Sequence, residues 1–186
     1  MNEREKKIAE AAIRAYSRLG VKRATMTEIA KEASVTRQTV YNTFPSTDDV
    51  LRAAIRYYID DQWNKIHTGW RNCSSLGEKL DLLLLHFALE PWEYINSSPE
   101  AAEMERGYND AGKAEVEAAR LGFRDEVAQL FVPYKEVLAT KSTSPHAVAD
   151  FIGAAIEGIK YNNADRASML VAIATLKGAL ISLTKD

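Results

Sequence analysis

Cysteine is nearly absent from this sequence: Cys73 is the single one among 186 residues. One thiol cannot build a disulfide framework within the chain and offers no zinc cluster, so we expect a reducing, cytoplasmic location. Apolar runs fall short of the roughly 20 residues that a membrane span needs. The charged, amphipathic N-terminus also lacks the pattern of a signal peptide. We therefore expect no membrane association.

Proline and glycine are few as well, with five and nine residues. No segment alternates β-branched and polar residues as a half-buried strand does. The chain is long enough to bury a real core, either as one domain or as two small ones. These features predict an all-α fold.

Motifs of catalysis and metal binding are missing too. The sequence contains no nucleophile elbow, H-E-x-x-H motif, paired-carboxylate spacing or phosphate loop. A helical enzyme that uses His86, Glu90 and His146 is an alternative that these absences disfavour. We predict no catalytic residues, no metal site and no cofactor, and therefore a protein that is not an enzyme.

Charge is nearly balanced, with a net value of −2. The first 50 residues hold nine Lys and Arg against seven Asp and Glu, whereas residues 51–186 hold fifteen against nineteen. This modest asymmetry has the sign expected if only the N-terminal part meets phosphate.

Three helix start signals lie between Ala24 and Leu51. Thr25 with Glu28 and Ser46 with Asp49 have the spacing of capping boxes, and Thr36 is a third cap. Pro45 must end the second helix, because proline disfavours helical geometry in the residue before it. Two helices of about two turns, joined by three or four residues, have the size of a helix-turn-helix, whose second helix enters the DNA major groove.

The second of these helices has an unusual polar face. Val40 and Phe44 stand one turn apart and should face inward with Val35. The other faces carry hydrogen-bonding side chains, and no carboxylate occurs between Thr36 and Thr47. Such a face suits a polyanion, although a short amphipathic helix whose polar side meets only water remains an alternative.

The residue pattern of this stretch closely resembles the N-terminal DNA-binding domain of the TetR family of bacterial regulators. The resemblance lies in the segments Thr25-Met26-Thr27-Glu28-Ile29-Ala30, Ala33-Ser34-Val35, Thr39-Val40-Tyr41 and Phe44-Pro45-Ser46, followed by acids and Val50-Leu51. Two positions depart from the family pattern. Ser34 replaces the usual turn glycine, and Thr47 replaces a lysine that commonly contacts a phosphate.

The resemblance implies a helix-turn-helix DNA-binding domain at residues 1–50 and a helical ligand-binding and dimerisation domain at residues 51–186. It implies a ligand-responsive regulator, most simply a repressor, that binds a palindromic double-stranded DNA operator as a homodimer and responds to a small-molecule effector. A TetR-like helical adaptor or small-molecule-binding protein without DNA binding, suggested by Ser34 and Thr47, is the alternative.

Site residues follow from these expectations. Arg37 suits guanine, Gln38 adenine, and Thr39 a thymine methyl or a phosphate. Tyr41, Thr25 and Thr27 suit the DNA backbone. The predicted DNA-binding set is Thr25, Thr27, Thr36, Arg37, Gln38, Thr39, Tyr41 and Asn42.

Later helices carry the remaining predictions. A long helix should start at Ser46 and reach His67 or beyond, and LGEKLDLLLLHFALEPW should form one buried helix. Aromatic residues near that helix either line an effector pocket or fill the core, and a lone histidine there is more often a core residue. The candidate ligand-binding residues are Trp63, Trp70, His86, Trp92 and Tyr108, with Met104 also available to a cavity.

The last two helices, which start at Ser144-Pro145 and at Asp165, are apolar enough to need a partner. In the TetR family the corresponding helices pair with their copies in a four-helix interface. The alternative is that they close the core of the single chain. The predicted dimerisation residues are Phe151, Ile152, Ala155, Ile159, Ile173, Leu176 and Leu180.

Overall fold

The computed structural model describes residues 1–97, 100 and 108–185. This part of the chain is helical and contains no strand, as the composition predicts. Its α-helices, in chain order, are α1 (Glu3–Leu19), α2 (Met26–Glu32), α3 (Arg37–Thr43), α4 (Thr47–Trp70), α5 (Leu76–Leu84), α6 (Glu90–Ser97), α7 (Asp110–Phe131), α8 (Lys135–Thr140), α9 (Pro145–Asn162) and α10 (Arg166–Leu183). A π-helical turn, Leu85–Leu89, joins α5 to α6, and a 3₁₀ turn, Val132–Tyr134, joins α7 to α8.

Residue contacts divide the chain into two compact units. The first contains residues 1–63 and 93–119, and the second contains residues 64–92 and 120–186. The boundaries between the units fall inside α4, α6 and α7. The functional division into residues 1–50 and 51–186 stays a prediction.

The core of the first unit is built from one stripe on each of its first four helices. Apolar residues spaced by three and four predict a core stripe on α1, and the buried residues of that stripe are Ile8, Ala11, Ala12, Ala15 and Tyr16. α2 contributes Met26, Ile29 and Ala30, α3 contributes Val40, and α4 contributes Val50, Leu51, Ala54 and Ile55. Tyr94 and Val116, from the later segment of this unit, pack against the same core. Burial of these apolar side chains is what holds the two short helices α2 and α3 in place, since helices of two turns are not stable alone.

Helix caps agree with the sequence in most positions. Ser46 and Asp49 form the predicted capping box, with Asp49 N donating to Ser46 Oγ at 3.1 Å and Ser46 N donating to the Asp49 carboxylate at 3.2 Å. Thr25 accepts the backbone N–H of Glu28 at 3.2 Å, but the reciprocal bond from Thr25 N to the Glu28 carboxylate is not formed, so that box is only half present. The glycine that follows the last apolar residue of α1 predicts a left-handed helical cap, whereas Gly20 has φ 79° and ψ 153°. This region of φ and ψ is also open almost only to glycine.

The predicted single helix from Leu76 onward is interrupted. α5 gives way to the π-helical turn Leu85–Leu89 before α6 begins at Glu90. The next residue is Pro91, which has no backbone N–H to donate. Its ring would also crowd the carbonyl of Phe87 in a regular α-helix. Widening of the preceding turn removes that conflict. The helix is also less buried than expected, because Leu85 is 36% exposed.

The second unit has its own core, which the segments after α4 supply. α5 contributes Leu80, Leu83 and Leu84, α7 contributes Val127 and Phe131, and the last two helices contribute Val148, Ile152, Ile156, Met169, Leu176 and Leu180. Ser144 and Asp165 cap α9 and α10 as predicted.

α10 is the one helix in the described part of the chain that is long and apolar enough to cross a membrane by length and composition. Only 17% of this 18-residue window is buried. This criterion alone is weak evidence for a membrane span. The observation establishes that much of an apolar helix surface is uncovered in the single chain.

Candidate nucleic-acid interface

The turn between α2 and α3 is a Schellman motif. Val35 N donates to Ala30 O at 3.0 Å and Ser34 N donates to Lys31 O at 3.1 Å, which satisfies two carbonyls at the end of α2. Ser34 holds the left-handed position of this motif, with φ 52°. The residue that replaces the usual glycine therefore bears a steric cost on the order of 1 kcal/mol.

α3 is fixed with one face inward. Val40 is fully buried, and Val35 and Phe44 pack partly buried against the same core, as the sequence predicts. Phe44 ends the helix in an extended conformation, with φ −131° and ψ 108°, because Pro45 follows it. Val40 therefore sets which side chains of α3 point to solvent.

The exposed face of α3 carries Arg37, Gln38, Tyr41 and Asn42. These side chains pair along the helix: an Arg37 guanidinium nitrogen donates to the Tyr41 hydroxyl at 3.3 Å, and Gln38 Nε2 donates to Asn42 Oδ1 at 2.8 Å. The Arg37 guanidinium also lies 5.2 Å from the centroid of the Tyr41 ring. The pairs hold donors and acceptors in a fixed array without neutralising the positive charge.

The threonines of the predicted set have mainly structural partners. Thr36 Oγ1 accepts the backbone N–H of Thr39 at 3.1 Å and lies 2.8 Å from Thr39 Oγ1. Thr25 caps α2, and Thr27 is exposed in its first turn. Thr39 is half-buried, so its side chain reaches solvent less freely than those of Arg37 and Gln38.

Ion pairs brace the helix that precedes α3. Arg14 and Arg18 of α1 reach the carboxylate of Glu32 at the end of α2, at 3.1 and 3.5 Å. Exposed pairs of this kind contribute little stability each. Their geometric effect is to fix the end of α2, from which the turn to α3 departs.

A later segment of the first unit holds the same helices in ways that no sequence signal indicated. The Tyr94 hydroxyl forms a hydrogen bond with the Ser17 hydroxyl, and the Tyr94 ring stacks on Tyr58. Three more side-chain pairs join this segment to the earlier helices: Glu100 with Arg23 at 2.9 Å, Asn109 with Asp48 at 2.9 Å, and Glu115 with Arg56 at 2.6 and 2.8 Å. Hydrogen bonding to Glu115 raises the pKa of the Arg56 guanidinium. Residues far apart in the chain make these contacts, so local patterns do not reveal them.

The candidate ligand-binding residues divide between the two units. Trp63 and Tyr108 belong to the first unit. The side chain of Trp63 is half-buried, and Tyr108 is 40% exposed. Trp70, His86 and Trp92 belong to the second. Met104 lies outside the described residues.

In the second unit both candidate indoles donate to backbone oxygens. Trp70 donates to Lys79 O at 3.0 Å, and Trp92 donates to Asn163 O at 3.2 Å. His86 is 8% exposed, with its Nδ1 3.0 Å from a Glu90 carboxylate oxygen one turn away. These contacts give all three side chains a role in the fold, and a role in ligand binding stays a prediction.

The predicted dimerisation residues also divide into two groups. Ile152 and Leu180 have no exposed surface and Leu176 is 6% exposed, so these three pack inside the core of the single chain. Their place in a dimer interface stays a prediction. Phe151 is 54% exposed, and Ala155, Ile159 and Ile173 retain part of their surface. The predicted set does not include Leu170 and Val171, which are 40% and 67% exposed.

Helices α1–α3, with the start of α4, therefore form a helix-turn-helix domain. In this domain α3, the second helix of the motif, presents a polar, carboxylate-free face. Residues 8–54 match the family described as "Bacterial regulatory proteins, tetR family". The HTH-type transcriptional regulator YuxN of Bacillus subtilis is 33% identical over 66 residues, which are 36% of this chain and 23% of that protein. The chain thus aligns with under a quarter of that relative's length.

Solved structures share the fold over nearly the whole chain. A TetR-family transcriptional regulator from Rhodococcus sp. has a TM-score of 0.72 at 21% identity, with 100% of both chains covered. FadR of Bacillus subtilis, in complex with stearoyl-CoA, has a TM-score of 0.66 at 16% identity, with 95% of this chain and 97% of that chain covered. Residues 8–54 therefore match the TetR-family model, and the described part of the chain has the fold of these TetR-family regulators.

Proposed function

We propose that this protein is a ligand-responsive transcriptional repressor, which binds a palindromic DNA operator as a homodimer. It releases the operator when a small molecule binds to the part of the chain formed by residues 51–186. The observation that carries the proposal is the exposed face of α3, where Arg37, Gln38, Tyr41 and Asn42 meet solvent and no carboxylate is present. A solvated helix usually mixes acids with bases, whereas this face offers only groups that suit phosphates and base edges.

Each side chain has a proposed role. Arg37 donates a bidentate pair to guanine, and Gln38 pairs with adenine. Tyr41, Thr25 and Thr27 contact the DNA backbone, which positions the domain without reading sequence. Thr36, Thr39 and Asn42 complete the set, although the cap formed by Thr36 leaves it less free than the others.

A homodimer is supported by apolar surface on the last two helices. Phe151 on α9 and Leu170 and Val171 on α10 are exposed, although each is large and apolar. A second copy related by a twofold axis would cover this surface and present two α3 helices to one operator. Successive major grooves require these helices to lie roughly 34–36 Å apart, or a small multiple of that distance.

An effector is supported by the FadR structure, which holds stearoyl-CoA. Long-chain acyl-CoA is therefore the first effector to test. The proposed contact residues are Trp70, His86 and Trp92 in the second unit, and the predicted residues Trp63 and Tyr108 belong to the first unit. The proposed switch is a shift of α4, which contributes residues to both compact units. The effector acts only to the extent that it binds one position of the helix more tightly than the other.

The test is DNA binding by fluorescence anisotropy, with the region upstream of the protein's own gene. The double variant Arg37→Ala/Tyr41→Ala should lose specific binding, and a promoter reporter should rise in cells that carry it. Arg71→Ala is the charge-matched control in the second unit and should bind as the wild type does. Circular dichroism must show both variants folded. Binding that survives the double substitution would contradict the assignment of α3, and a wild-type protein that binds no DNA would favour the adaptor function.

A further inference from the structure

Basic residues at positions 1–63 sort into two groups by their partners. One group is neutralised by carboxylates at 3.5 Å or closer: Lys6 by Glu3, Arg14 by Glu10 and Glu32, Arg18 by Glu32, Arg23 by Glu100, Arg52 by Asp49 and Arg56 by Glu115. The other group has no carboxylate partner among the described residues, and it consists of Arg4, Lys7, Lys22, Lys31 and Arg37. In the second group, no ion pair with a described carboxylate offsets the positive charge.

Arg4 stands out in this group by its position. It lines an open groove of about 490 Å³ together with Asn2, Glu3, Glu5, Asn42 and Thr43. The groove joins the first turn of α1 to the last two residues of α3. Asn42 is exposed there, and its side-chain oxygen is occupied by Gln38. Arg4 therefore places an available positive charge on the same surface as the end of the proposed reading helix.

The two carboxylates of the groove, Glu3 and Glu5, form no ion pair with Arg4. Glu5 accepts the backbone N–H of Asn2 at 2.8 Å, in a capping box that starts α1. Glu3 accepts the Lys6 ammonium at 3.0 Å. Each carboxylate is thus held by a partner of its own. The guanidinium of Arg4 makes no hydrogen bond or ion pair with any residue that the structure describes.

Helix stability does not account for an arginine at this position. The N-terminus of a helix carries partial positive charge, so acids stabilise the first turn and cations oppose it. Asn2, Glu3 and Glu5 follow this rule, and Arg4 breaks it. Residues that break a local rule without a compensating contact are expected at functional sites.

We propose that Arg4 binds a DNA backbone phosphate in this groove, beside the base pairs that α3 contacts. The inference rests on the proposed DNA-binding function and extends its surface to α1. A guanidinium suits phosphate because its N–H groups form parallel, charge-assisted bonds to two oxygens. Arg4 then fixes how α3 lies along the major groove, and it positions the domain without reading sequence.

The experiment measures the DNA affinity of wild type, Arg4→Ala and Arg4→Lys between 50 and 200 mM salt. Removing one phosphate contact lowers the slope of log affinity against log salt by about one, so the advantage of wild type over Arg4→Ala should shrink about 3.5-fold across this range. Arg4→Lys should keep most of the slope. The decrease in affinity should be equal on operator and on unrelated duplex DNA, because phosphates carry no sequence.

Arg71→Ala is the control, because it removes the same charge from the second unit, and it should keep the wild-type slope. The thermal midpoint of Arg4→Ala should equal or exceed that of wild type, since a cation leaves the N-terminus of α1. If wild type binds DNA and Arg4→Ala has the wild-type slope, the inference about Arg4 is wrong and the DNA-binding function stands. If wild type binds no duplex at all, it is the proposed function that fails.

Discussion

Arg37 and Tyr41 are held together on the exposed face of α3, with the guanidinium 5.2 Å from the ring centroid and a 3.3 Å hydrogen bond between the guanidinium and the hydroxyl. The two residues are one turn apart, so the pair forms within a single short helix. It orders Arg37 before DNA arrives, which lowers the entropy lost when that side chain binds a base.

Tyr41→Ala should therefore weaken DNA binding even if Tyr41 itself touches only the backbone. An exposed cation–π contact contributes about 0.5–1 kcal/mol, so the loss of this ordering should weaken DNA binding by at most about two- to fivefold. Tyr41→Phe keeps the ring under Arg37 and should have a smaller effect. Fluorescence anisotropy with an operator fragment measures both. Equal effects of the two variants would show that the hydroxyl, rather than the ring, is responsible.

Ser34→Gly should stabilise the first unit. Ser34 has φ 52° at the left-handed position of the turn, where a Cβ atom costs roughly 1–2 kcal/mol. Glycine removes that strain but loses about 0.5–1 kcal/mol more conformational entropy on folding, so the net gain in unfolding free energy should be about 0.5 kcal/mol. Urea unfolding at room temperature measures the difference. Ser34→Ala keeps the Cβ atom and should show no gain, and a Ser34→Gly variant less stable than wild type would contradict the prediction.

The turn that Ser34 occupies belongs to the part of the fold that the sequence predicts well. Thr36 caps α3, Pro45 forces Phe44 out of the helix, and Val40 faces inward. Each of these features depends on residues that are near one another in the chain. Local chemistry determines caps and turns, and hence the spacing of a helix-turn-helix can be predicted without a structure.

Features that depend on distant residues were not predicted. The hydrogen bond between Ser17 and Tyr94 and the bidentate pair of Arg56 with Glu115 have no signature in the sequence. The dimer surface shows the same limit in another form. Both α9 and α10 carry apolar side chains outside their buried stripe, so apolar character alone could not separate Ile152, which is buried, from Phe151, which is exposed.

Val171→Asp should disrupt the proposed homodimer. Val171 is 67% exposed in the single chain, and burying an unpaired carboxylate in an apolar interface costs about 3 kcal/mol or more. The dimer dissociation constant should rise on the order of a hundredfold. Sedimentation equilibrium measures it.

Val132→Asp is the matched control, since Val132 is 44% exposed on the 3₁₀ turn after α7, away from both terminal helices in the sequence. The Val132→Asp variant should remain dimeric.

The Val171→Asp variant should bind a DNA fragment with the full palindrome no more tightly than a fragment with one half-site. A Val171→Asp variant that stays dimeric would place the interface elsewhere on the surface.

Glu78→Gln should flatten the decline in stability that the protein shows in acid. The Glu78 carboxylate accepts Ser74 N at 2.7 Å, Ser74 Oγ at 3.0 Å and Ser75 N at 3.0 Å, and these hydrogen bonds lower its pKa below the ordinary 4.5. Because the pKa is lower in the folded state, the stabilisation is present above the unfolded-state value and is lost as pH falls through the folded value. Glutamine retains an acceptor but cannot titrate, so the variant should be less stable than wild type near neutral pH and closer to it in acid, at about pH 3.

Urea unfolding of wild type and Glu78→Gln at the two pH values measures this change. Glu136→Gln, at an exposed position in the first turn of α8, serves as the control, because no side-chain hydrogen bond caps that helix and the Glu136 carboxylate lies 3.6 Å from the exposed Lys135 ammonium. It should leave the pH dependence of stability close to that of wild type. A constant difference in unfolding free energy between wild type and Glu78→Gln across this range would show that the α5 cap does not depend on the ionised carboxylate.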